Sequence, residues 1–323
     1  MNMKKVGLTA LAASLVSFSA NAGEMTVSGA ASINVGGYSA GANGNNPKSF
    51  TMGNQLTFSG GGELDNGLNV SLSFVLDQGD ADPGPFDSHS VTVSSDSFGT
   101  LVFAGEGGSS AASSIDGSVA GDIWDGFDGA AAVAVGVTGA AMNDSGPGDN
   151  SIFYTLPSLM DGLSVFASVN PQEGGVNETE TGYGATYTGI EGLSLSYATT
   201  DIESGATATS GDQTSMKATY AYGPVTVGYS KTDHDTGTDA STTDLTSWSI
   251  AYTISDELSV SYGVEELGVG GQATDAEFNA LVVSYTSGGM TISANMEQAD
   301  NVDNSTNNNA DQEYWMLGAA FAF

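Results

Sequence analysis

The stretch AYTISDELSVSY, residues 251–262, decides how the rest of the chain is read. Tyr252, Leu258, Val260 and Tyr262 fall on one side of an extended chain, Ser259 and Ser261 on the other, and turn-forming residues surround Asp256. Side chains of a strand point alternately to its two faces, so the pattern predicts a β-hairpin with one apolar face and one lined by hydroxyls.

The same unit recurs. Tyr154, Tyr187, Tyr220, Tyr252 and Tyr285 stand 33, 33, 32 and 33 residues apart, and a short turn and an alternating segment follow each one. Those segments read GLSVFASV, GLSLSYAT, GPVTVGYS, ELSVSYGV and GMTISANM. In the third, Val225, Val227 and Tyr229 share a face opposite Thr226 and Gly228; in the last, Met290, Ile292, Ala294 and Met296 do. The N-terminal half follows suit with Val27, Ala31, Ile33 and Val35, and with Leu68, Val70, Leu72, Phe74 and Leu76. A fixed period of this length marks a fold built by repetition. Sixteen strands are expected, at 24–38, 50–59, 67–77, 88–95, 98–105, 149–156, 162–170, 180–188, 192–200, 213–221, 224–231, 245–254, 257–266, 276–286, 289–298 and 312–323.

The ends of the chain and its composition narrow the class. Lys4 and Lys5, the apolar run Val6 to Phe18, and Ala20-Asn21-Ala22 follow the order of a secretory signal, so residues 1–22 are expected to be removed and 23–323 to work outside the cytoplasm. The remainder holds no cysteine and no arginine; three lysines (Lys48, Lys217, Lys231) face 38 carboxylates, a net charge of −35. Nucleic acid is excluded as a partner, because phosphate contacts need a basic surface.

Two all-β architectures alternate in this way. A soluble sandwich joins two apolar faces and leaves charged residues outside. Here the polar face is Ser, Thr, Gly and Asn, and the acids gather at one set of strand ends: Asp201/Glu203, Asp233/Asp235, Glu265/Glu266 and Asp300/Asp303. The other ends carry tight turns with Tyr187, Tyr220, Tyr222, Tyr252 and Tyr285, the rings a membrane interface selects. The reading is therefore a transmembrane antiparallel up-and-down β-barrel of sixteen strands, in which every backbone group is paired within lipid. Eight 33-residue hairpins use 264 of the 301 residues after the signal, and most of the remaining 37 lie between the fifth strand and Asn150. A barrel of this size encloses an aqueous channel.

Three stretches carry a family resemblance. DNSIFYTLPSLMDGLSVFASV (149–169), with Asn150-Ser151-Ile152, Tyr154 and Pro157, resembles the sixth-strand hairpin of the Gram-negative general porins, and FGTLVFAGE (98–106) resembles the strand leading into their constriction loop. WMLGAAFAF, with Trp315, Leu317, Ala319, Phe321 and the terminal Phe323 at alternate positions, resembles the signal read by the outer-membrane barrel assembly machinery. The resemblance implies a homotrimer in outer-membrane lipid, located in the outer membrane of a Gram-negative bacterium, with 106–148 folded into the lumen as a constriction. The family's wall arginines have no counterpart here, and Phe153 stands where a basic residue is frequent.

By that resemblance the candidates for the pore lining are Glu106, Asp116, Asp122, Asp125, Asp128 and Asp144, with Trp124 and Phe127 available to pin the loop to the wall. Carboxylate rings favour cations. Lys217, between the outward Met216 and Ala218, is expected to point into the lumen; Lys231 shares the phase of Tyr229 and is expected to snorkel at the interface. The function expected is passive diffusion of small hydrophilic solutes and ions, cations preferred, with no cofactor and no enzymatic step. No HExxH pair or GxSxG elbow accompanies His89 and His234, and GEGGSS at 105–110 lacks the Lys and helix of a phosphate loop. The Asn- and Asp-rich stretch 300–313 is read as an external loop rather than a calcium site. The alternatives are a plugged structural or adhesive barrel without conductance and a secreted calcium-binding solenoid; the hairpin repeat and Phe323 argue against the second.

Overall fold

The computed structural model describes residues 25–40, 48–77, 87–127, 149–171, 179–202, 211–237, 242–306 and 310–323. The expected signal segment, Asp128, Asp144 and Glu203 lie outside them. Sixteen strands form one closed antiparallel barrel in chain order, with the first paired to the last. They are β1 (Met25–Ala40), β2 (Lys48–Glu63), β3 (Asn69–Asp77), β4 (Ser88–Ser95), β5 (Gly99–Glu106), β6 (Ser151–Thr155), β7 (Leu163–Asn170) and β8 (Glu180–Ile190). β9 (Leu193–Ile202), β10 (Gly211–Tyr222), β11 (Val225–Asp235), β12 (Thr243–Thr253), β13 (Leu258–Val269), β14 (Ala276–Ser287), β15 (Met290–Asp300) and β16 (Gln312–Ala322) complete it. Each strand overlaps its expected position; β2 is longer at both ends and β6 is shorter.

Turns at one rim are tight, such as the two residues between β8 and β9. There Gly192 has φ 77°, and a Cβ on it would stand 2.2 Å from the Ala221 carbonyl oxygen, so only glycine lets the neighbouring turn approach. The tyrosine spacing becomes a spatial row at this rim. Tyr154, Tyr187, Tyr220, Tyr252 and Tyr285 lie opposite Leu101, Leu163, Leu193, Val225 and Leu258, each the first or third residue of its partner strand.

The outer phase is apolar and exposed, with Leu195, Val227, Ile250, Leu281 and Leu317 among its members. Toward the long-loop rim it ends in acids set directly across from one another: Asp201 and Asp212, Asp233 and Asp244, Glu266 and Glu277. Like charges in cross-strand register oppose each other, which water tolerates and lipid does not. From Leu258 to Glu266 the strand rises about 27 Å, or about 20 Å in height at a tilt near 40°. That height matches a lipid-facing belt. Lys231 sits at its upper edge, its Nζ 2.6 Å from Asp233.

The inner phase corrects two expectations. Glu265, grouped with the loop-end acids, is fully buried and faces inward, because it occupies the phase of Ser259, Ser261 and Gly263 while Glu266 occupies that of Val264. The 300–313 stretch is not wholly external. Val302 is buried, and Asn304 Nδ2 donates to the carbonyls of Leu267 and Thr274 at 3.0 Å each. Val302 joins Leu245, Leu267, Ala276, Phe278 and Ala299 in an apolar patch on the inner wall of β12–β15.

Candidate functional site

At the end of β5 the register shifts by one residue, so that Ser90 faces Ala104 while His89 faces Glu106. Such a bulge bends its strand. Gly105 is the residue passed over, and a Cβ there would lie 2.0 Å from His89 Nε2. Beyond it the chain leaves the sheet, and residues 107–127 run along the inside of the barrel.

Their path is set by inward side chains that receive the loop's backbone N–H groups. Ala111 N–H donates to Ser168 Oγ on β7 (2.7 Å), Ala112 N–H to Thr200 Oγ1 on β9 (3.0 Å), and Val119 N–H to Ser230 Oγ on β11 (3.1 Å). A loop without regular structure has no internal partners for these donors, and the hydroxyl phase of the wall supplies them. Glycine in that phase lets the loop lie flat: a Cβ on Gly228 would meet Val119 at 2.8 Å, and one on Gly263 would meet Ala120 at 2.6 Å.

The strongest hold is at Glu265. Its carboxylate accepts the Ser118 hydroxyl and, at 2.9 Å, the Trp124 N–H. Ser118 Oγ in turn accepts the N–H groups of Gly121 and Asp122 at 3.0 Å each, so the turn is built around that one carboxylate. Past it a 3-10 turn, Ile123–Gly126, carries Phe127 into the inner apolar patch. The Phe127 ring is fully buried, 5.8 Å from that of Phe278 and 6.0 Å edge-on to that of Tyr38, whose hydroxyl donates to the Gly126 carbonyl. The loop therefore touches the wall from β7 round to β1.

Of the candidate acids, three share this segment and one stands apart. Asp116 Oδ2 accepts from Gln213 Nε2 at 3.2 Å, Asp122 Oδ1 accepts from Ser118 N–H at 2.8 Å, and Asp125 lies in the 3-10 turn. All three are partly exposed. Lys217 is on the inner phase of β10; Gly117 separates it from Asp122, since a Cβ there would stand 3.9 Å from Lys217 Nζ and 3.5 Å from Asp122 Oδ2. Glu106 is elsewhere, 3.7 Å from His89 at the base of the loop. Across the lumen the inner phase of β2–β5 presents Thr51, Gln55, Thr57, Ser73, Ser90 and Thr92, and among the described residues no charge between the strand ends. Trp315, Leu317 and Phe321 face outward on β16, and Phe323 closes the seam through Gly29 N–H to its carbonyl (2.7 Å) and its own N–H to the Gly29 carbonyl (3.0 Å).

Sequence reasoning missed the holders of the loop: Glu265, Ser118, Ser168, Ser230 and Tyr38. One signal was there to use. Glu265 is a carboxylate in a phase otherwise filled by Ser and Gly.

The family model for Gram-negative porins matches residues 7–323. Among solved structures, an anion-selective porin from Comamonas acidovorans superposes with TM-score 0.69 at 16% identity, over 93% of this chain and 100% of that one. The Salmonella typhi OmpF complex with daunomycin gives 0.66 at 14%, over 93% and 98%. An engineered Rh. blastica porin gives 0.66 at 17%, over 93% and 100%. No curated protein sequence matches the chain.

Proposed function

This chain belongs to the Gram-negative porin family, passive diffusion channels of the outer membrane, and we propose that it conducts small hydrophilic solutes with a preference for cations. The observation that carries the preference is the charge layout inside the barrel. Asp116, Asp122 and Asp125 lie together on the inner loop with Lys217 set against them, and between the strand ends the described residues of the facing arc carry no charge. A low-dielectric wall around carboxylates raises the local cation concentration and repels anions. Fold does not decide this sign, since a barrel of the same architecture is named an anion-selective porin. Residues 106–148 act as the constriction, and 1–22 as the export signal.

Planar-bilayer recording across a tenfold KCl gradient tests the preference. At low salt the reversal potential is expected on the cation side, shrinking as the Debye length falls from about 10 Å at 0.1 M to about 3 Å at 1 M. Equal K⁺ and Cl⁻ permeability at low salt would sink it. Replacing all three loop acids by Asn is expected to move the reversal potential toward zero.

The outer surface supports a homotrimer in lipid. None of the twelve tyrosines lies on β2–β5, and the one on β1, Tyr38, faces inward. The outward face of this arc is instead Val27, Ile33, Phe50, Met52, Leu56 and Leu72. An apolar surface without the tyrosines and tryptophans of an interfacial girdle suits contact with another copy better than contact with headgroups. Sedimentation in density-matched detergent is expected to give three chains per particle; a monomer that conducts would remove the trimer and keep the channel.

A further inference from the structure

Beside the base of the loop, β3–β6 and residues 107–114 enclose a cavity of about 300 Å³ open to the lumen. Its wall is layered by strand register. One rung runs Ser73–Ser90–Ala104–Ser151 across four strands, and the next carries Val102 directly opposite Phe153. On the other side of the hydroxyl rung stand His89 and Glu106, 3.7 Å apart. Ser109 and Ser114 of the loop face it from across the cavity. The Phe153 ring is held by stacking on Phe166 at 5.4 Å and is only partly buried.

We infer that this cavity is a subsite for a monosaccharide-sized polyhydroxylated solute on its way through the channel, an inference that rests on the open-channel reading above. A sugar ring has an apolar C–H face and a rim of hydroxyls, each both donor and acceptor. Val102 and Phe153 offer the matching apolar floor, and serine hydroxyls, which also donate and accept, offer the rim. His89 beside Glu106 sets a nitrogen and a carboxylate where two adjacent hydroxyls of one ring bind together. The volume sits at the lower end of small-molecule sites, about 300–1,000 Å³, which suits one ring and not a chain. A lone carboxylate among hydroxyls makes a poor site for an anion, and the aromatic floor adds nothing for a hydrated metal ion. Because the cavity is open to water, binding is weak, and weak binding lets a solute leave again.

The test is a titration of D-glucose into the detergent-folded protein, followed by saturation-transfer NMR, with single-channel recording in the same sugar. Saturable binding in the millimolar range is expected, accompanied by saturable current block, and urea, which lacks an apolar face, produces neither. Phe153→Leu, which keeps bulk and removes the ring, is expected to weaken binding by about tenfold. Glu106→Gln weakens it less. Should Phe153→Leu fail to fold, Val102→Lys, which keeps the Phe153 and Phe166 rings and sets an ammonium on the apolar floor, is expected to abolish binding. A signal linear in sugar, or unchanged in these variants, overturns the subsite. Current steps without saturable binding leave the channel standing and the subsite refuted; saturable binding in folded protein that shows no steps does the reverse.

Discussion

Replacing Glu265 by alanine is expected to turn a quiet channel into a noisy one. In the folded protein its carboxylate, fully buried, takes the Ser118 hydroxyl and the Trp124 N–H, and alanine offers neither of them an acceptor. Leaving buried donors unpaired costs about 1–3 kcal/mol each. The barrel ladders do not pass through this contact, so the strands persist and the strain falls on the loop. Its neighbours stay tethered, Ala111 and Ala112 on one side and Phe127 on the other. The span 118–124 already lies against the wall, so the only direction in which it can move is toward the lumen. The expected record shows brief excursions to lower conductance and a smaller mean current. Glu265→Gln, whose amide oxygen can still accept the Trp124 N–H, is expected to stay far quieter than the alanine variant. That pair of results separates a hydrogen-bond latch from a charge effect. Wild-type noise in the alanine variant would show that Glu265 does not position the loop.

The second large effect is expected at the other end of the chain. Phe323 makes the final rung of the β1–β16 seam with Gly29, and its ring lies where a side chain on that glycine would be, 2.4 Å from the Cβ position. Deleting Phe323 removes two backbone hydrogen bonds, a net loss of about 1–2 kcal/mol from a barrel with fifteen other interstrand ladders. A deficit of that size lowers cellular abundance only several-fold. If the terminal Phe is read by the assembly machinery, barrel in the outer membrane falls far below that, while refolding into detergent in vitro proceeds nearly as before. Parallel measurement of membrane yield and of unaided refolding distinguishes the two. Equal, modest losses in both would reduce Phe323 to a seam contact. Gly29→Val provides the converse check: it leaves the tail intact and blocks the ring's seat, so it impairs refolding as well as yield.

The sequence by itself determined the barrel: the strand positions, the strand phase, the even count, and which rim carries tyrosines and which carries acids. It could do so because lipid on one side and water on the other impose a period of two on every strand, and the chain writes that period locally, as in Leu258, Val260 and Tyr262 against Ser259 and Ser261. Lys217 was placed inward by the same logic. The tertiary structure alone decided what lies inside. Ser118 meets Glu265 across 147 positions of sequence, Ala112 meets Thr200 across 88, and Phe127 finds Phe278 in an apolar patch that the hydroxyl pattern conceals. Spacing cannot aim the side chains of a loop with no period of its own; its path is set by which distant hydroxyls, glycines and apolar residues share the wall it crosses. Glu265 shows the boundary between the two. Its phase was readable as inward, but that it clasps the loop instead of lining open water is a contact between segments far apart in sequence, which only closure of the barrel brings together.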